Sequence, residues 1–121
     1  MARTTELAIY RPAYELLQLL AKLTQQYPRG YRQGVGREVF AEGQAVVVRI
    51  FRANSAGPDT RPSTLEDLRE HLETLKLLLR LSKDLNLIAP ASYGATVELT
   101  DAIGKQASGW LNYTRKKAPD A

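Results

Sequence analysis

The chain has 121 residues, 44% of them hydrophobic and 25% charged, which fits one globular domain rather than a disordered segment. It has no cysteine and one histidine, His71, which excludes disulfides, thiolate metal sites, thiol nucleophiles and iron–sulfur clusters. A histidine metal cage or a Ser-His-Asp triad within one chain is equally ill supplied. Seventeen Lys and Arg against 13 Asp and Glu give a net charge of +4, a balance that permits a polyanionic partner without requiring one.

The N-terminal residues lack the apolar core of a signal peptide, and no stretch reaches the ~18 apolar residues of a membrane span. The expectation is a soluble, cytoplasmic protein with no membrane contact. The first helix is predicted over about 8–27, with Tyr10, Ala13, Leu17, Leu20, Thr24 and Tyr27 at spacings of three and four. Pro12 belongs in its first turn, and Pro28 and Gly30 end it. The second is predicted over about 31–54. Val35, Val39, Val46, Ile50 and Ala53 form one stripe, and Phe40, Val47 and Phe51 form another, which implies burial on more than one side. Gly36 and Gly43, seven apart, imply close approach of a neighbouring backbone.

Ser55 to Arg61 reads as a loop. The third helix, about 63–86, opens on a capping box from Ser63 to Glu66, and Leu65, Leu68, Leu72, Leu75 and Leu79 form its inner face. Residues 87–94, with Pro90, Ser92 and Gly94, read as a connector that tucks Leu87 and Ile88 into the core. The fourth helix is predicted over about 95–114, with Thr100, Ile103, Ala107 and Trp110 inward, followed by a frayed tail over 115–121. Four amphipathic helices with short connections imply an all-α, antiparallel four-helix bundle, up-down-up-down, as a single domain over 1–121. The apolar surplus of the second helix implies self-association.

No set of residues points to catalysis, a cofactor or a metal. His71 lacks a base or nucleophile at a telling spacing, and only Asp67 lies one turn away. The glycines at 30, 34 and 36 lack the Lys-Ser/Thr ending and preceding strand of a phosphate loop. The cations say more. Arg69, Lys76, Arg80 and Lys83 fall within a band of about 60° on the third helix, suited to successive phosphates. Glu66, Glu73 and Asp84 lie beside that band, so a solvated, ion-paired face is the competing reading. Residues 29–52 add Arg29, Arg32, Arg37, Arg49 and Arg52 against Glu38 and Glu42, with arginine used throughout, as phosphate forks prefer. Charge spread in this way favours phosphate contact over base readout.

The run Asp101-Ala102-Ile103-Gly104-Lys105-Gln106-Ala107-Ser108-Gly109-Trp110-Leu111 resembles the E-I-G-[KR]-Q-L-G-G-W-L-K ending of a family of small four-helix bundle proteins. Tyr10 to Pro28, Ile50-Phe51-Arg52-Ala53-Asn54 and the leucine-rich third helix resemble the same family. It comprises the accessory variability determinants (Avd) of diversity-generating retroelements and the proteins encoded in ribosomal RNA intervening sequences. Ala107 and Ser108 depart from the usual Leu-Gly, and Asn112 stands where Lys is common. The resemblance implies a barrel-shaped homopentamer that binds RNA or DNA and associates with a reverse transcriptase during mutagenic cDNA synthesis. Five copies at +4 each would carry about +20. It further implies architectural roles for Ile103, Gly104, Gly109 and Trp110, the glycines allowing close helix contact. On this reading the protein is not an enzyme, and Arg69, Lys76, Arg80 and Lys83 bind nucleic acid, supported by Arg49, Arg52 and Lys105. The alternatives are a protein-only oligomeric scaffold and an intervening-sequence bundle protein without a reverse transcriptase partner.

Overall fold

The computed structural model describes residues 2–117. Four long helices account for most of them: α1 (Tyr10–Gln25), α2 (Arg37–Ser55), α3 (Arg61–Asp84) and α4 (Pro90–Lys117). A short 3-10 turn, Thr4–Glu6, precedes α1. A single helical turn, Arg29–Tyr31, and a π-helical segment, Arg32–Gly36, lead directly into α2. There is no strand among the described residues. α1 packs on α2, α2 on α3 and α3 on α4, and α4 returns to α1, so the four helices enclose one core.

That core is aliphatic, as the composition requires. Leu16, Leu20 and Leu23 of α1 meet Val39, Val46, Ile50 and Ala53 of α2, the five inner leucines of α3, and Ile103, Ala107 and Leu111 of α4. Each fully buried leucine contributes roughly 1.5–3 kcal/mol by leaving water. Four buried Ser and Thr hydroxyls are satisfied by their own helices. Thr24 donates to the Leu20 carbonyl at 2.8 Å, Ser82 to Leu78 at 2.8 Å, Thr96 to Tyr93 at 2.7 Å and Thr100 to Val97 at 3.1 Å.

The inner face of α3 is the expected stripe, whereas on α1 Leu16 and Leu23 are buried and Tyr10 and Leu17 of the expected stripe are half-buried. α2 departs from expectation: its second stripe is not a second buried face, because Phe40 and Val47 are half-buried and Phe51 is exposed. Gly43 admits side chains rather than a neighbouring backbone, while Gly36 lies against both the Tyr27 ring and the Tyr31 carbonyl. A Cβ on Gly43 would lie 2.6 Å from Leu20 Cδ1, and one on Gly36 would lie 3.3 Å from the Tyr27 ring.

The helix ends differ from expectation for identifiable reasons. α3 starts at Arg61, with Pro62 in the first turn, so the Ser63–Glu66 capping box does not form. Ser63 Oγ instead donates to the Thr60 carbonyl at 2.9 Å, and Glu66 pairs with Arg115. α3 stops at a left-handed Asn86, φ 60°. There the Asn86 N–H reaches the Lys83 carbonyl at 3.0 Å and the Leu87 N–H reaches that of Ser82 at 2.8 Å, a Schellman ending. α4 begins at Pro90, not near residue 95, because proline at a first helical position forfeits no hydrogen bond. Residues 115–117 continue α4 instead of fraying, and 118–121 lie outside the described residues. Ile88 is buried beneath the α3–α4 connection, as its patterning implies.

Candidate nucleic-acid interface

The seven cations singled out from sequence do not converge on one surface. Arg69, Lys76 and Lys105 line a groove of about 810 Å³ between α3 and α4. Glu66, Glu70, Glu73 and Asp101 share its walls, so acids outnumber bases there. Within the α3 band, Lys76 Nζ lies 3.2 Å from Glu73 and Arg80 Nε 3.3 Å from Asp84. Both pairs are solvent-exposed and exchange freely with water, so each is worth little. Lys83 Nζ sits 5.3 Å from the centroid of the Tyr93 ring, a cation–π contact. Arg69 and Lys105 form no ion pair with the described residues.

Arg49 has a different task. Its Nε donates to Asp67 Oδ2 at 2.9 Å, with the Arg49 side chain 21% exposed. This bond ties α2 to α3, and the guanidinium holds the Asp67 carboxyl below the usual carboxylate range. The tie extends to His71, whose Nδ1 lies 2.6 Å from Glu42 Oε2 and whose Nε2 lies 3.7 Å from Asp67 Oδ1. Both ring nitrogens thus face carboxylates of the same chain, and the α3–α4 groove is lined without His71. The cluster fastens α2 to α3 through Arg49–Asp67 and Glu42–His71. Among the described residues no three His, Asp or Glu side chains are arranged as metal ligands.

A second cationic stretch lies on α2 and the turns leading into it. Arg29, Arg32, Arg37 and Arg52 are exposed, and none pairs with a carboxylate of the described residues. Arg32 Nη2 donates to the Tyr27 carbonyl at 3.4 Å and Arg37 Nη2 to Gln33 at 2.8 Å, which orients both guanidinia without neutralising them. Over residues 29–55 the only exposed carboxylate is Glu38, since Glu42 is engaged by His71. The sequence shows the arginine excess of this stretch. It does not show that Arg49 is withdrawn from it while the other four remain outside.

The residues assigned architectural roles divide. Ile103 is fully buried and Trp110 packs half-buried against the core. Gly104 and Gly109 do not mediate close helix contact within the chain. A Cβ on Gly104 would meet only Leu72 Cδ2 at an ordinary 3.6 Å, and one on Gly109 would meet nothing within 4 Å. At the C-terminal end, Arg115 pairs with Glu66, and Lys117 Nζ lies 5.5 Å from the Tyr113 ring centroid. No helix among the described residues is long and apolar enough to cross a membrane. Compared with known proteins, the chain matches no family model and no curated protein.

Proposed function

We propose that this chain is a non-enzymatic accessory protein of the Avd type, an antiparallel, up-down-up-down bundle that binds RNA or DNA beside a reverse transcriptase. The observation that carries this reading is the arginine excess of α2 and the turns before it: Arg29, Arg32, Arg37 and Arg52 are exposed and in no ion pair with the described residues, against one exposed carboxylate. Arginine forks suit phosphate, and neutralising phosphates releases counterions, so a surface of this kind has salt-dependent affinity for a polynucleotide. Arg69 and Lys105, on the separate α3–α4 groove, offer further unpaired cations. Lys76, Arg80 and Lys83 contribute less, since each already has a partner of its own. The motif resemblance supplies the reverse transcriptase and the pentamer. The exposed leucines of α3, with Leu77 68% accessible and Leu81 and Leu85 also outward, supply the apolar surface that contact between copies requires.

Titrating salt against binding to a duplex and to a single strand tests the nucleic-acid reading. Replacing Arg29, Arg32, Arg37 and Arg52 with Gln should weaken binding and lower the log–log salt slope by about one for each phosphate no longer neutralised. Unchanged affinity and slope would reject the assignment. The same three leucines favour the second reading, an oligomeric scaffold that contacts only protein. It requires negligible affinity of the native chain for either polymer at physiological salt.

A further inference from the structure

At the α1–α2 seam, three aromatic rings form a cluster that the core does not enclose. Tyr10 and Tyr14 stack with centroids 5.7 Å apart and planes 13° from parallel, and Phe51 meets Tyr10 edge-on at 5.9 Å. Tyr10 is half-buried and roots the cluster, whereas Tyr14 and Phe51 remain 45% and 44% exposed, with Val48 exposed on the same helix as Phe51. Beside the stack lies a recess of about 410 Å³ lined by Thr5, Tyr10, Arg11, Tyr14, Glu15 and Gln18. Arg11 borders it, and its contact with Glu15 is a loose 3.7 Å between exposed side chains. Arg52, next to Phe51 in the chain, is exposed, and its charge also acts on Asp67 of α3.

Aromatic rings left open to water and flanked by guanidinia fit one class of partner well. A base offers a π-face to stack on such rings, and its phosphate offers charge to the arginines. In a duplex the base faces are hidden within the stack, so only unpaired bases are available. We infer that Tyr14 and Phe51, braced by Tyr10, form a stacking platform for unpaired bases of a single-stranded nucleic acid whose backbone runs past Arg11 and Arg52. The inference rests on the nucleic-acid reading above and deepens it: the partner presents single-stranded bases.

The test uses the full chain, a labelled single-stranded oligouridylate, an RNA duplex of matched length, and a single strand carrying a fluorescent adenine analogue that is quenched on stacking. The native protein should prefer the single strand and quench the analogue. Tyr14→Ala and Phe51→Ala should each lower single-strand affinity by roughly tenfold or more, leaving duplex affinity and the salt slope unchanged. Tyr14→Phe should retain binding, since the ring and not the hydroxyl does the stacking. Both alanine sites are exposed, and retained helicity checks the fold. Unaltered single-strand affinity in both alanine variants, or binding without quenching, overturns the platform while leaving the nucleic-acid reading intact. Failure of the native chain to bind either polymer overturns both. A fall in particle mass on Tyr14→Ala with binding unchanged assigns the cluster to contact between copies and overturns it also.

Discussion

Tyr27 carries the one buried side-chain polar atom that lacks a hydrogen-bond partner among the described residues. The residue is 1% exposed, and burial pushes its phenol above the ordinary value, opposed by the nearby Ser82 hydroxyl. Ser82 itself donates to the Leu78 carbonyl, and no hydrogen bond joins it to the phenol. A stranded hydroxyl costs about 1–3 kcal/mol, so Tyr27→Phe should raise stability by about 1 kcal/mol, read as a higher melting temperature. Asp67 poses the opposite case, a carboxylate favoured by its partner. Its folded-state pKa lies below the unfolded value, so its contribution is full above about pH 4 and fades as pH falls through the folded value. Arg49→Ala should therefore lower the melting temperature at neutral pH, and the gap from the native protein should narrow as pH falls through the folded value. A gap independent of pH would mean that Arg49 acts through packing alone. Neither effect is visible in sequence. Arg49 and Asp67 are 18 positions apart, and only the α2–α3 packing selects one carboxylate for one guanidinium. The i,i+3 and i,i+4 pairs, Lys76 with Glu73 and Arg80 with Asp84, are local, and spacing alone suggests them.

At the scale of elements, periodicity carried the helices, and local chemistry at their ends misled. The leucine repeat of α3 admits one inner face, and that face is the buried one. Pro90 reads as a breaker or a first-turn residue with equal ease, and only the packing of α4 along α3 and α1 decides for the latter. The glycines separate in the same way. Alanine at Gly43 would have to displace Leu20, which is fully buried, so Gly43→Ala should destabilise by about 1–3 kcal/mol despite its better helix propensity. Gly109 faces open space in mid-helix, so Gly109→Ala should stabilise the single bundle by about 0.5–1 kcal/mol in a thermal melt. Loss of assembly in that variant, at raised bundle stability, would place Gly109 between copies. That outcome would restore the close-contact role that its motif implies.

The whole molecule is a small aliphatic core wrapped in unequal faces. Acids and bases alternate along the α3–α4 groove, arginines dominate α2, and leucines emerge on the outer side of α3. Composition states the net charge, but not this partition, which follows from how each helix is rotated about its axis. If copies associate through the α3 leucines, Leu77→Ser with Leu81→Ser should reduce the light-scattering mass to that of one 13.5 kDa chain, with helicity unchanged. An unaltered mass would move the contact elsewhere.

The π-helical segment before α2 has a consequence for the arginines. A wide turn holds one residue more than an α-helix needs, and each residue of α-helix rotates the chain by about 100°. Excising Gly34 would let the segment relax to ordinary winding and swing Arg29 around the axis relative to Arg37 and Arg52. Every charge would survive, yet their alignment would not. The local pitch of five residues thus works as a phase setting, fixing the direction of Arg29 about the axis relative to the arginines of α2.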